Sequence, residues 1–356
     1  MRISSASEVI EYGFWKPAKL PAIPERSKLC SLLPIGLGTL QVECLTCYMS
    51  RLADAHNLSV GSMFNWDPMS RAASLFSRRL VSYSNGASKG HRVGDAAHDL
   101  NGLTARTEAW VAALEEVTLV PDLRMLTMLP FQNLFSEMGL MRTQRAWCSQ
   151  CYECDREIGT LYDRLLWCLR PVSRCPIHHI PLIDKCLACG KSTSHLAAEI
   201  LPGYCASCGS WLGSSDAMHN DHAVGSEYER YATEAVSELI GISQRLTITP
   251  PEMLYSNEVF TANLRKCIDY LSGGSIIALA EAINVDYHTL HGWLEKKPRL
   301  VLNNYLKLTF ALGKMAHKAL LSPEISQAQL EEIASYVAHR FRGRKSAGHL
   351  KPSEKH

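Results

Sequence analysis

The chain has 356 residues, 46% of them hydrophobic and 20% charged, and its formal net charge is +2 at pH 7. This length favours two or three domains, and the absence of any run of about 18 apolar residues argues against a membrane-spanning helix. Because the first five residues lack the apolar core of a secretory signal, we expect a soluble cytoplasmic protein whose cysteines stay reduced.

Residues 1–30 contain several prolines and show no helical periodicity, which predicts an extended arm. Phe14 and Trp15 lie in this arm beside Lys16 and Lys19, in a segment that offers little fold of its own to bury them. Aromatic side chains on a pre-extended segment are good anchors in protein interfaces. We therefore expect the arm to bind a partner protein; the alternative is that it packs back onto the following domain.

Residues 31–145 predict an N-terminal helical domain. Apolar residues at helical spacing predict a first helix, whose core-facing stripe is Leu45, Tyr48, Met49 and Leu52. Ser59 has the character of an N-cap for the next helix. Further helices are expected at 104–117 and 122–128, after a loop at 84–94 that is rich in serine, glycine and asparagine. Cys44 and Cys47 form an isolated pair, for which packing is favoured over metal binding.

Seven cysteines and one histidine between residues 148 and 208 form four pairs with a two-residue gap. The pairs are Cys148 and Cys151, Cys175 and His178, Cys186 and Cys189, and Cys205 and Cys208. Two side chains at this spacing on a tight turn reach one tetrahedral zinc, at about 2.3 Å for sulfur and about 2.0 Å for nitrogen. Residues 146–212 therefore predict a tandem zinc-binding module, with short strands around its turns and two structural Zn²⁺ ions.

The consecutive pairing of these ligands gives the shortest loops, so we expect the first four to bind one zinc and the last four the other. Both sets would be complete, which leaves no open position for a catalytic water. Cys154 and Cys168 are interpreted as packing residues, with alternative ligands as the other hypothesis. His179 competes with His178, and the two-residue gap favours His178. A run of acidic residues and histidines at 216–222 is better explained as a solvated connector than as a third site.

Residues 225–342 predict a C-terminal helical domain with a helix-turn-helix at 276–296. An amphipathic segment at 276–283 is followed by a turn at 284–286, and a second helix then begins. Such a unit needs a small residue where its helices cross and apolar residues that pack the second helix onto the first. Ala280, Val285, Leu290 and Trp293 occupy these positions. The alternative is an ordinary helical hairpin, since the same spacing serves any bundle.

In a helix-turn-helix, the second helix enters the major groove and its N-terminal residues read base edges. The candidate DNA contacts are Tyr287, His288, Thr289 and His291, followed by Lys296, Lys297 and Arg299. Residues 284–318 carry a net charge of +4, and the stretch from residue 339 onward, which includes a basic tail at 343–356, carries +5. Basic segments can neutralise phosphates, although such tails are also common as plain solvated chain.

No catalytic motif stands out. Gly190-Lys191-Ser192 lacks the upstream glycine of a phosphate-binding loop, and no His-Glu-x-x-His motif occurs. The carboxylates are scattered along the chain. We therefore expect a protein without enzymatic activity, mainly α in fold, with a small zinc-ribbon module between two helical domains.

The order of these parts resembles the TniQ family, which includes TnsD. The carrying segments are Arg145-Ala-Trp-Cys148-x-x-Cys151, Leu161-Tyr162 to Trp167, Cys175-Pro176-x-His178, Pro181-Leu182-Ile183-x-x-Cys186-x-x-Cys189-Gly190 and Cys205-x-x-Cys208-Gly209. Leu33-Pro34 and Ser50-Arg51-Leu52-Ala53 are similar to the start of the family. The resemblance spans roughly residues 30 to 212 and departs at Ser149-Gln150, where a proline is usual. The C-terminal third is similar only in being helical with a helix-turn-helix.

The resemblance implies a non-catalytic adaptor of bacterial cut-and-paste transposons. One side recognises a target, and the other recruits an AAA+ ATPase regulator, which brings the transposase. In the family the target is either attachment-site DNA or an RNA-guided CRISPR effector complex containing crRNA, on which members often dock as homodimers. The sequence leaves both open. A hypothesis of another class is a stand-alone zinc-containing helix-turn-helix transcription regulator, which would need no ATPase.

Overall fold

The computed structural model describes residues 26–64, 93–197, 200–214, 225–245, 255–295 and 298–341. Several predicted features lie outside these residues: the arm up to residue 25 with Phe14 and Trp15, most of the loop at 84–94, the run at 216–222, Lys296, Lys297 and the basic tail. In the described part no helix is long and apolar enough to cross a bilayer.

The described residues are mainly helical, which confirms the predicted fold class. The N-terminal part contains α1 (Leu45–Ala55), α2 (Val60–Phe64) and α3 (Ala105–Thr118), with 3-10 turns at Val93–Asn101, Leu123–Leu126, Leu129–Phe131 and Leu165–Cys168. The cysteine-rich part contains α4 (Ser149–Ile158). The C-terminal part contains α5 (Glu227–Arg245), α6 (Asn257–Ser272), α7 (Ile276–Ile283), α8 (Tyr287–Glu295), α9 (Leu302–Leu312), α10 (Ala316–Ala319) and α11 (Gln327–Arg340).

The strands expected around the zinc turns are reduced to single bridges. Trp147 pairs with Ile183, and Tyr204 pairs with Trp211, each as an isolated antiparallel bridge. Each ladder stops after one residue pair because the chain turns sharply at the neighbouring ligand pair. The prediction of short strands was therefore wrong for the described residues.

Helix α1 lies in the core, as its apolar stripe predicts: Leu45, Tyr48, Met49 and Leu52 are fully buried. Ser59 caps α2 by accepting a hydrogen bond from the N–H of Ser62 at 3.1 Å, which confirms the predicted cap. The helix predicted at 122–128 is instead a 3-10 turn at 123–126. Asp122 has a φ of +64°, and Pro130 follows four residues after the turn, so an α-helix has no room to propagate.

The N-terminal and C-terminal helical parts contribute to one buried cluster. The Phe131 ring lies 4.8 Å from that of Tyr255, and the Phe135 ring lies 5.4 Å from that of Tyr305. Gln244 on α5 ties the two parts together with its amide, since it accepts from the N–H of Gly38 and donates to the carbonyl of Met125. The helical parts therefore pack directly on each other.

Helices α7 and α8 form a pair of consecutive helices where the sequence predicts a helix-turn-helix. Asn284 ends α7 with a φ of +55°, and the N–H of Val285 donates to the carbonyl of Ala280 at 3.0 Å. Leu290 and Trp293 are buried as predicted, and the Trp293 ring stands edge-on to Phe260 at 5.6 Å. The second helix is thereby held against α6 as well as α7.

Candidate metal centres

The structure brings together the first four predicted ligands. Cys148, Cys151, Cys175 and His178 place one ligand atom each within 4.8 Å of the others. The Nδ1 atom of His178 lies 3.4, 3.3 and 3.7 Å from the three sulfurs, in that order, and the sulfurs of Cys151 and Cys175 are 3.6 Å apart. Ligands around one tetrahedral zinc at the usual bond lengths lie about 3.5–3.8 Å from one another. This cluster therefore fits a zinc ion.

The second cluster consists of Cys186, Cys189, Cys205 and Cys208. The sulfurs of Cys186 and Cys208 are 3.7 Å apart, and those of Cys189 and Cys205 are 3.8 Å apart. Two sulfurs on one tetrahedral zinc stand about 3.8 Å apart. The structure therefore groups the ligand pairs consecutively, as the shorter loops predict. The four sulfurs of this cluster also fit a zinc ion.

Three of the four ligand pairs lie on the same kind of tight turn. The residue after the second ligand has a positive φ in each: His179 (+56°), Gly190 (+70°) and Gly209 (+71°). Its N–H donates to the carbonyl of the first ligand at 3.0, 2.8 and 2.8 Å, respectively. Glycine adopts this backbone conformation at no steric cost. His179 is therefore a turn residue rather than a competing ligand, and its carbonyl accepts two hydrogen bonds from Arg174 at 3.1 and 2.7 Å.

The first ligand pair, Cys148 and Cys151, lies at the start of a helix rather than on a tight turn. Cys148 is the N-cap of α4, and its sulfur accepts from the N–H of Cys151 at 3.5 Å. The N-terminus of a helix carries a partial positive charge, which stabilises thiolates. The N–H of Cys151 thus favours the deprotonated form of the Cys148 sulfur, which is the form that binds a metal.

The remaining cysteines divide by burial. Cys168, Cys44 and Cys47 are buried in the core, which confirms packing for these three. Cys154 is exposed, so its interpretation as a packing residue was wrong. Its position on α4 directs it away from the core, and its sulfur lies 3.8 Å from Nε2 of His178, the ring nitrogen that faces away from the cluster.

A buried arginine organises the space beside the first cluster. Arg145 donates to Asp163, to the hydroxyl of Tyr152 at 2.7 Å and to the carbonyl of Tyr204 at 3.1 Å. Burial by itself lowers the pKa of Arg145, but Asp163, together with Tyr152 and Cys47, raises the pKa above its ordinary value. Only a weak feature of the sequence points to this role: Arg145 is a charged residue in an apolar stretch, just before Trp147 and Cys148.

The two clusters share a small core that is separate from the large helical one. Trp211, beyond the second cluster, donates from its ring nitrogen to Glu153 on α4 at 2.6 Å. A Cβ on Gly203 or Gly213 would lie 2.5 Å from Trp211 atoms, so both glycines leave the space that the indole fills. Trp211 thereby fixes the second cluster against the helix that begins at the first.

Exposure distinguishes the clusters. In the first, the three cysteines are buried and His178 is half-buried. In the second, Cys186 and Cys205 are buried, Cys189 is half-buried and Cys208 is exposed. A metal in the second cluster would therefore be the more accessible to chelators and oxidants.

The predicted DNA contacts are only partly presented to solvent. His288, His291 and Arg299 are exposed, whereas Tyr287 and Thr289 are half-buried. The N–H and hydroxyl of Thr289 both donate to Asp286, at 2.7 and 2.9 Å. The hydroxyl bond lowers the pKa of the Asp286 carboxyl, and the backbone bond adds to this effect. Thr289 therefore completes the cap of α8.

Residues 34–182 match the TniQ family model. The matched stretch contains the whole first cluster and ends before Cys186. No curated protein matches the chain. The chain therefore contains a TniQ domain at residues 34–182.

Proposed function

We propose that this chain is a transposition target selector that links a target to an AAA+ ATPase regulator and so recruits the transposase. The TniQ family has a target-selection role in transposition and is a family of non-catalytic adaptors. The observation that carries the proposal is the TniQ domain at 34–182, built around a complete four-ligand cluster.

Both clusters are proposed to hold structural Zn²⁺. Sets of three or four sulfurs suit zinc and are foreign to magnesium and calcium, which bind oxygen ligands. Each set is complete in protein ligands, so a bound zinc would cross-link the chain rather than activate water. The role proposed for the module at 146–212, between the domains proposed at 31–145 and 225–342, is therefore structural.

The two sides of the adaptor are assigned to different parts of the chain. The arm at residues 1–30 is proposed to bind the ATPase regulator, because its aromatic side chains are flanked by lysines. The outer face of α8 is proposed to meet the target, because the opposite face is buried against α6 and α7 while this face carries exposed His288 and His291.

An insertion assay tests the proposal. A transposon that lacks this gene should lose insertion at its preferred site, and the wild-type gene should restore it. Cys175→Ser should fail to restore it, because the first cluster would lose a ligand. Cys30→Ser is the matched control, since Cys30 is an exposed cysteine outside both clusters. Unchanged insertion in the deletion strain would contradict the proposal.

The α7–α8 pair supports a second candidate, a zinc-containing transcription regulator. Co-purification separates the two. A target selector should bind the purified ATPase regulator, whereas a stand-alone regulator should bind promoter DNA and leave the ATPase unbound.

A further inference from the structure

Helix α8 presents one stripe to solvent. His288, His291 and Glu295 are exposed, and Gly292 lies between them. Positions i, i+3, i+4 and i+7 share one face of a helix. The opposite face holds the helix in place, since it is buried through Leu290, Trp293 and Leu294. The stripe is therefore a rigid surface on a well-packed helix.

The two described helices of this unit carry negative charge, the opposite of what DNA requires. Residues 276–295 contain Glu281, Asp286 and Glu295 and no lysine or arginine, which gives a net charge of −3 with neutral histidines. All three carboxylates are exposed. DNA carries one negative charge per about 1.7 Å of its axis, so its phosphates would be repelled. In the sequence, the positive charge of this region begins at Lys296.

The start of α8 is also closed to phosphate. Helix N-termini bind phosphate through free N–H groups. Here the Asp286 carboxylate accepts both the N–H and the hydroxyl of Thr289. A second anion at this place would meet a carboxylate.

The described residues leave room for a side chain at Gly292, which is half-buried. A Cβ built on it would meet nothing within 4 Å. Glycine inside a helix is less stable than alanine. Because Gly292 has no side chain, the protein surface is lower at the centre of the stripe, and the backbone of another protein can approach it closely. The Tyr287 ring lies 5.4 Å from the rings of both His288 and His291 on the same helix.

We propose that the α8 stripe docks on a protein surface that carries lysine or arginine, and that the partner's backbone sits over Gly292. The basic side chains of the partner would pair with Glu295, the carboxylate of the stripe. This rests on the proposed function, in which α8 meets the target, and it makes the contacted target component a protein rather than DNA.

Binding measurements with the zinc-loaded full chain test this. The probes are each purified protein encoded in the same transposon, and a DNA duplex that carries the insertion site. Gly292→Leu should weaken binding to one of those proteins by about tenfold or more, because the side chain fills the gap. Glu295→Lys should weaken the same complex, and binding to DNA should not fall with either change.

Two further variants separate docking from folding. Gly292→Ala should raise the thermal midpoint by roughly 1–3 °C, because alanine favours the helix, yet it should still weaken the complex measurably. Glu332→Lys on α11 is the charge-matched control, since Glu332 is also an exposed helical glutamate, and it should bind normally.

Three results would overturn the inference. The first is that Gly292→Leu and Glu295→Lys bind every protein normally. The second is a loss of binding confined to the DNA duplex. The third is a change in the oligomeric state of the chain alone, which would assign the stripe to a second copy. Failure of the proposed function is a different result. Unaltered insertion in the deletion strain would end that proposal even if both variants lost a protein partner.

Discussion

Arg145 and Asp163 form a two-point ion pair in which Arg145 is only 1% exposed: Nε lies 2.7 Å from Oδ2, and Nη2 lies 3.0 Å from Oδ1. The backbone of Asp163 is bound in turn to the start of α1. Its N–H donates to the sulfur of Cys47, and its carbonyl accepts from the N–H of Cys44. The pair therefore joins the metal-binding part to the helical core.

Removal of either partner should be costly. Arg145→Met leaves the Asp163 carboxylate mostly buried without its counter-ion, and the expected loss is about 3–5 kcal/mol of unfolding free energy. Urea denaturation of zinc-loaded protein measures it. The control is Lys266→Ala in the exposed Lys266–Glu324 pair, where solvent screens the charges and only a small loss is expected. A loss for Arg145→Met as small as the control's would refute the joining role.

Metal analysis should find two zinc ions per chain, and a chelator should remove them in two phases. The faster phase should come from the second cluster, because Cys208 is exposed there. A coloured zinc indicator follows the release. Cys186→Ser should abolish the faster phase and promote aggregation, whereas Cys154→Ser should retain both ions. Release in one phase, or release from the first cluster first, would contradict the exposure argument.

Acid should destabilise the fold through His195. Burial lowers the pKa of His195 to about 4, against about 6.5 for an exposed histidine. Between pH 6.5 and 4, the unfolded chain therefore binds a proton at His195 that the folded chain does not bind. The neutral His195 contributes stability above pH 6.5, and this contribution is lost as the pH falls toward 4.

The variant His195→Gln lacks this titration. Its destabilisation relative to the wild type, measured by urea at fixed zinc saturation, should be smaller at pH 5 than at pH 7 by about 2 kcal/mol. Comparison with the wild type at each pH cancels proton effects on the metal ligands. An equal difference at both pH values would show that His195 titrates alike in both states.

The N-terminal arm provides the test of ATPase recruitment. A chain without residues 1–25 should keep its zinc content and helical circular dichroism but lose binding to the ATPase regulator. The substitution of Phe14 and Trp15 by alanine should reproduce this loss, while Lys16→Gln should weaken binding less. A truncated chain that binds the ATPase normally would refute the assignment.

Local chemistry made part of this protein predictable. A two-residue gap suffices to bring two ligands to one metal, so the eight ligands and their grouping followed from spacing. The stripe of α1, the cap at Ser59 and the α7–α8 pair followed from helical periodicity and side-chain capping, which act within a few residues.

Contacts between distant segments were decided by the tertiary structure alone. The sequence around Arg145 does not identify its partner as Asp163, which lies 18 residues away. The sequence predicts packing for both Cys154 and Cys168. That Cys168 is buried and Cys154 is exposed depends on which side of each segment faces the core. The open space at Gly292 likewise depends on what surrounds α8. Burial and long-range pairing are properties of the packed chain, and local sequence patterns carry no direct record of them.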